Sequence, residues 1–538
     1  MRPRLAFAAC LLLAVLHTWP LAGGLASRSL NYNADAEQGE WTLSWIARML
    51  PRDPRHLFDG NIFAPERATL AYSEPMIVPA LMGAPVRWLG GSPVLTYNVV
   101  LIVGLALTAW AGWLVAWRWT GAADAALVAG ALTAFNAHLL TRLPHVMAAH
   151  AWGIPLSLYL ADRLVDRPRM RDGALLALVV AATAATSVYW LALVGVVVAI
   201  TAVASLRRWR SFLAITGASL AGLVIVAPVL WPYVRLAGSG ASRPLESVAQ
   251  FSATPAGYLT SLSRLHAGWT ARFFRDDVNV LFAGVTAIAL AAVGVATAAG
   301  RAERRRRIVV VVAIATVGVF LSFGPATALY RTLYHWLLPL RGLRAAARFG
   351  YLYLVAIALA AGLGVAWLQQ RARTAGKRAL IAGLCLAAVT VEAWSGPIRT
   401  EPFRRVPAIY DVLAREAGPA LLVEVPFYPA DAVFENGEYM LNATAHWQPV
   451  MNGTSGVTPA SYRARAASFW FFPRDWAIDA IVRDGATHVM VHLERFSAAE
   501  VADINQVLAR RADLRLVASD AQGHRLYRVA TRTTDLSP

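Results

Sequence analysis

Apolar runs of about 18 residues or more recur from the beginning of the chain to near residue 395, and each is long enough to cross roughly 30 Å of hydrocarbon. No soluble fold has room to bury so many. Reading the runs in order gives crossings at about 5–25, 94–117, 122–140, 147–163, 173–188, 190–206, 212–233, 279–299, 308–324, 349–369 and 379–395. The predicted fold class is therefore a polytopic α-helical membrane protein of about 11 crossings, followed by a soluble α/β domain. Composition agrees: 57% of residues are hydrophobic and only 15% charged, against about a quarter charged in soluble domains.

The net charge of +18 invites a nucleic-acid reading, but the placement of the arginines argues against one. They gather in short breaks: Arg118; Arg163, Arg167, Arg169 and Arg171; Arg207, Arg208 and Arg210; Arg301 and Arg304 to Arg307; Arg371, Arg373, Lys377 and Arg378. All these breaks fall on one side if the N-terminus is cytoplasmic, as the positive-inside rule requires. The expected partner is thus the membrane and not nucleic acid. The stretch 173–206 has arginine-rich flanks on both sides, so two short crossings turning at Ser187, Tyr189 and Trp190 fit better than one long helix. The first run follows Arg2 and Arg4 and also has the pattern of a signal peptide; an uncleaved helix is expected, with residues 26–75 outside the cytoplasm in either case.

The breaks on the other face are longer and richer in chemistry. The loop 26–93 carries Asp35, Glu37, Glu40, Asp53, Asp59, Glu66 and Glu74. Within it, Trp41, Trp45, Ile46 and Met49 share one helical face, which suits a helix lying flat on the bilayer and clamping Asp35 near the interface. A capping or solvated aspartate is the plainer reading of Asp35. Arg341, Arg344 and Arg348 break the positive-inside pattern; a lipid phosphate is one reason for outer-face arginines, and snorkelling at helix ends is another. Glu392 lies near the end of the last run, and an acid in hydrocarbon is a functional candidate by default.

The division expected is 1–395 for the membrane part, with its outer loop 26–93, and 396–538 for an extracytoplasmic domain. In that domain ALLVEVPF (420–427) and THVMVHL (487–493) read as buried strands. SAAEVADINQVLARRA (497–512) reads as a helix capped by serine, and 514–529 as two strands about a turn. Phosphate-loop, GxSxG, HExxH and CxxC motifs are absent, and the two cysteines, Cys10 and Cys385, sit in apolar runs as buried thiols.

Together these stretches resemble a known superfamily. The acidic first loop with Asp35, DPRHLFDGNIFAPERATLAYSE (53–74), PVLTYNVV (93–100), LPHVMAAHAWGIPL (143–156) and LPLRGLRAAARFGYLYL (338–354) are similar to the GT-C membrane glycosyltransferases. The tail stretches MNGTSGVTPASY (451–462) and FFPRDWAIDAIVRDGATHVMVH (471–492) extend the resemblance. It implies a bacterial inner-membrane transferase, hexosyl or pentosyl and inverting, with its C-terminal domain in the periplasm. Such an enzyme takes a sugar from a polyprenyl-phosphate-linked donor to a glycan or lipid acceptor of the cell envelope on the outer face. By the resemblance Asp35 is the general base and Glu74 the second catalytic acid. Tyr72 and Glu37 are substrate contacts, and Arg341, Arg344 and Arg348 grip the donor phosphate. Several relatives carry an acid in the outer loop between the third and fourth crossings; this chain has His145 and His150 there instead, with Arg142 nearby, which makes the two histidines substrate-binding candidates and puts dependence on a divalent metal (Mg2+ or Mn2+) in doubt. Two other functions stay open as well, a lipid-linked glycan flippase and a non-catalytic envelope assembly factor. A transporter, however, is expected to show broken helices and related halves around a midplane site, and neither is evident.

Overall fold

A computed structural model describes residues 2–238, 243–298, 302–416 and 418–530. Arg301, one of the arginines in the basic breaks, lies outside the described residues. Contacts divide the chain into two compact units: a helical unit of Met1–Arg28, Glu74–Gly83 and Leu95–Thr400, and a mixed unit of Ser29–Ser73, Ala84–Val94 and Glu401–Pro538.

In the helical unit a helix occupies each apolar run. The helices are Pro3–His17, Pro93–Thr120, Ala123–Ala134, Gly153–Asp166, Met170–Ala184, Val188–Ala204, Trp209–Gly238, Val285–Ala298, Ala302–Ser322, Tyr351–Gln370 and Ala375–Ala393. Among the described residues, three helices are long and apolar enough to cross a membrane by themselves, over Pro93–Thr120, Trp209–Gly238 and Ala346–Gln370. The expected run 122–140 is interrupted at Asn136, whose side chain accepts from the Leu139 N–H and starts a second short helix. Likewise 173–206 folds as two helices, because Ser187 accepts from the Trp190 N–H and restarts the chain.

Tyr351–Gln370 lies at the centre, buried along nearly its whole length against Ala123–Ala134, Val285–Ala298 and Ala302–Ser322. Small residues allow this. A Cβ on Gly294 would strike the Ala360 carbonyl and one on Gly364 the Leu290 carbonyl, so the two backbones touch where glycine leaves room. At the arginine-rich ends, Asp162 is buried and accepts from Arg118, Arg306, Arg307 and the Trp119 indole, so the ends of three helices meet on one carboxylate.

The mixed unit is built on a four-stranded sheet, β1 (Leu422–Val425), β2 (His488–His492), β3 (Leu514–Ser519) and β4 (His524–Val529), in the order β1-β2-β4-β3. β1 and β2 run parallel with Leu422 opposite His488; β4 is antiparallel to both β2 and β3. Both β1 and β2 are buried along their length, and the polar residues they carry, Glu424 in β1 and His488 and His492 in β2, are buried with them. The helix Ala498–Arg510 starts with a capping box, Ser497 and Glu500 each accepting from the other's backbone N–H.

The first-loop helix, Ala34–Arg52, corrects one expectation. Its aromatic face does not lie open for a bilayer: Trp41 and Trp45 are 2% and 6% exposed, their rings stack on one another, Trp45 meets the ring of Trp447, and the helix as a whole packs against Gly437–His446. The Trp41 indole N–H donates to Asn61 Oδ1 at 3.0 Å and that of Trp45 to the Leu57 carbonyl at 2.8 Å. Amphipathic spacing shows that a face leaves water, and here protein covers it.

Candidate functional site

In the helical unit the sequence candidates converge around Glu74. Its carboxylate is buried; Oε2 accepts from the Val188 N–H at 2.8 Å and Oε1 lies 3.8 Å from Arg348 Nη1. Burial pushes the carboxyl above its ordinary range, against the opposing pull of Arg348, the Ser187 hydroxyl and the Val188 amide. The Arg348 guanidinium lies over Tyr189, 3.9 Å from the ring centre, and its Nε is buried without a hydrogen-bond partner among the described residues. That donor is costly to leave dry unless something else accepts from it.

Tyr189 also fixes the loop that carries the arginines. Its hydroxyl oxygen accepts from the Arg344 N–H at 2.8 Å and the Ala345 N–H at 3.0 Å. The Arg344 guanidinium stacks on Phe251 at 4.3 Å, with its charge close enough to Arg243 to push that guanidinium's pKa down, after burial. Like charges held together in this way are relieved by an anion. Tyr189 and Arg243 were not among the predicted site residues. The signal for Tyr189 was its place at the turn between two apolar runs; for Arg243 it was a charge on the same face as Arg348.

Other candidates have structural engagements. The Arg341 guanidinium donates to the Tyr334 and His335 carbonyls at 3.2 and 2.8 Å, closing the end of the helix Ala328–Trp336. His150 Nε2 is 3.1 Å from the Val100 carbonyl and its Nδ1 accepts from the Trp152 indole. His145 stands at the N-cap of the one-turn helix Val146–Ala149. The Glu392 carboxylate accepts from the Val285 and Thr286 N–H groups and pairs with His266 at 2.8 Å, so it caps the helix Val285–Ala298.

In the mixed unit Asp35 lines an open cavity of about 360 Å³ with Tyr32, Asn33, Ala34, Gln38, Phe434 and Thr454. The helix cap is Asn33, whose Oδ1 accepts from the Asp35 N–H at 2.9 Å, so the Asp35 carboxylate is not the cap. It stands in the first turn of the helix, beside Glu37. Glu37 is pushed up to about 8 by burial and by Glu438, with Arg495 opposing. Tyr72 donates to Glu66 Oε2 at 3.4 Å, and burial followed by the Glu66 charge pushes its hydroxyl up to about 12.

These helices, with their apolar lengths, define an integral membrane protein. No protein-family profile and no curated protein matches the sequence. The fold does have solved counterparts. The arabinofuranosyltransferase AftD from Mycobacteria superposes with a TM-score of 0.61 at 16% identity, over 98% of this chain and 40% of AftD; its R1389S variant gives 0.63 at 17%, over 98% and 42%. The oligosaccharyltransferase AglB from Archaeoglobus fulgidus, solved with an inhibitory peptide and a dolichol-phosphate, gives 0.52 at 11%, over 99% and 75%. This chain therefore spans about two-fifths of the length of AftD. The likeness is one of fold: the chain folds as AftD and AglB do.

Proposed function

We propose that this chain is a membrane glycosyltransferase that moves a sugar from a polyprenyl-phosphate-linked donor to a cell-envelope acceptor on the outer face of the bacterial inner membrane. The observation that carries the proposal is the buried, unpartnered Nε of Arg348 beside Glu74, on a face that Arg344 and Arg243 make cationic. Such a face suits the phosphate of a lipid donor, and its charge would stabilise the leaving group as the glycosidic bond breaks. The AftD and AglB likeness supports this reading, since those proteins are named as sugar transferases and AglB was solved with a dolichol-phosphate.

Topology supports the outer face. The helix Val188–Ala204 begins beside Tyr189 and ends before Arg207 and Arg208; Tyr351–Gln370 begins after Arg348 and ends before Arg371. At 1.5 Å per residue such helices measure about 26 to 30 Å, close to the thickness of the hydrocarbon core. The arginines that follow the positive-inside rule thus stand at the opposite ends of these helices from the Arg348 face. We assign all eleven helices as crossings, with the N-terminus cytoplasmic and residues 396–538 extracytoplasmic. The shorter helices complete their crossings through turns sheltered by neighbouring protein.

Roles follow from the chemistry. Asp35, which lines an open cavity, is assigned as the general base that takes the proton of the acceptor hydroxyl in an inverting transfer. Glu74 orients Arg348. The cationic partner of Glu74 supplies the positive charge that Mg2+ or Mn2+ would bring, so these residues do not favour a metal there. The test is a titration of the purified full chain with a polyprenyl phosphate, alongside a glycan comparison between a deletion strain and its parent. Saturable binding that fails in Arg348→Ala, with one glycan linkage lost in the deletion strain, supports the proposal. Intact glycans, or binding indifferent to Arg348, would overturn it and favour the assembly-factor reading.

A further inference from the structure

A second cluster, unrelated to the Glu74 face, stands where β2 meets β4. His492 ends β2, His524 begins β4, and the two are direct cross-strand partners in the antiparallel register. Glu494 follows in the turn Leu493–Arg495. One atom from each, His492 Nδ1, Glu494 Oε1 and His524 Nε2, gathers with the others inside a 4.8 Å span.

The two separations from Glu494 have the size a metal would impose. Glu494 Oε1 is 3.3 Å from His492 Nδ1 and 3.5 Å from His524 Nε2. In a tetrahedral site with bonds of about 2.0 to 2.1 Å, neighbouring ligand atoms stand about 3.3 Å apart. His492 Nδ1 is buried and is aimed into the cluster, where Glu494 Oε1 is the polar atom it faces among the described residues. The Arg495 guanidinium Nε lies 3.8 Å from the same Glu494 oxygen, but its other nitrogens are held by Tyr428 and Glu438.

Behind each histidine stands a carboxylate. His492 Nε2 is 2.6 Å from Glu424 Oε2, and Glu424 is itself fixed by the Tyr410 hydroxyl at 2.8 Å. His524 Nδ1 is 2.7 Å from Asp520 Oδ2, and Asp520 Oδ1 accepts from the Gln522 and His524 N–H groups. A carboxylate on the far nitrogen holds that N–H and leaves the near nitrogen free to bind, the arrangement that orients histidines in zinc sites. Both backing acids arise from different elements, β1 and the β3–β4 turn, so the pattern is not a by-product of one local motif.

We propose that His492, Glu494 and His524 bind a divalent transition-metal ion of the zinc class, with a fourth position open to solvent on the exposed Glu494 side. Two imidazoles and one carboxylate suit Zn2+ and disfavour Mg2+, which demands oxygen.

The full-length protein, stripped by chelator and desalted, is equilibrated with ZnCl2, with CoCl2 and with MgCl2, and bound metal is counted by mass spectrometry. The expected result is one retained equivalent of Zn2+, no retained Mg2+, and the intense visible absorption of tetrahedral Co2+. Glu494→Gln, a partly exposed side chain whose loss leaves the sheet intact, lowers zinc affinity at least tenfold, and Asp520→Asn lowers it about 10- to 100-fold. His56→Ala, at an exposed histidine elsewhere in the unit, leaves it unchanged. Retention below a tenth of an equivalent, or binding equal in wild type and in folded Glu494→Gln and His524→Gln proteins, would overturn the proposal and leave a histidine–glutamate ion-pair clamp.

Discussion

Removing the Arg348 side chain separates what this residue does for the fold from what it does for a ligand. In Arg348→Ala the buried Glu74 loses its cation and keeps only the Val188 amide and the Ser187 hydroxyl. A carboxylate stranded in this way costs about 3 to 5 kcal/mol while it remains charged. It can instead take a proton, which for an ordinary glutamate at pH 7 costs about 4 kcal/mol and caps the penalty. The Tyr189 stack is lost as well, about 1 to 2 kcal/mol. Glu74→Gln in the same background removes the stranded charge, so the double variant regains most of the lost thermal stability in detergent. Phosphate binding behaves otherwise. A charge-assisted hydrogen bond contributes about 1.5 to 3 kcal/mol, so losing it weakens polyprenyl-phosphate binding roughly 10- to 150-fold, in the single and the double variant alike. The assay is a titration of each purified variant with a polyprenyl phosphate, read by intrinsic tryptophan fluorescence. A folded double variant that binds as tightly as wild type would refute the reasoning.

Three further outcomes are expected. Asp35→Asn leaves Asn33 to cap the helix, so membrane expression and melting temperature stay at wild-type values while glycan product is abolished; product that survives removes Asp35 as the base. Glu37, held near 8 against an ordinary 4.5, binds its proton more tightly folded than unfolded, so it contributes a loss of stability as pH rises from about 4.5 to 8. Glu37→Gln should flatten that decline in melting temperature measured between pH 5 and pH 9, and an unchanged slope would count against it. Gly284 has a φ of +96°, and a Cβ there would stand 2.9 Å from the Glu392 carboxyl carbon. Gly284→Ala should therefore strain the turn and dislodge the cap of Val285–Ala298, at about 2 to 4 kcal/mol, seen as a lower melting temperature.

The readable and unreadable parts of this fold differ for physical reasons. Runs of apolar residues located the helices, because burying such a run without a helix leaves backbone groups unpaired. Ser497 and Glu500 announced the last helix, since that capping pair is local in sequence. Glu74, Arg344 and Arg348 were legible as charges out of place, yet the ring that organises them, Tyr189, was not, because aromatic residues at helix turns are common. The direction of the Trp41 face was misread for a related reason: the helix that covers it lies some 400 residues further along. His492, Glu494 and His524 were invisible to spacing rules, since a strand pairing brings them together.

The mixed unit has a consequence for how the chain is made. Its first part, Ser29–Ser73, is synthesised before the whole run Leu95–Thr400, while its sheet comes last. Trp41, Trp45 and Ile46 must therefore wait, greasy and uncovered, until the final stretch has been translated. Contacts this distant in sequence form late and leave apolar surface open to aggregation meanwhile. A product truncated before Gly437 would never acquire the helix that shields them, which makes the C-terminal segment an internal chaperone for the N-terminal loop.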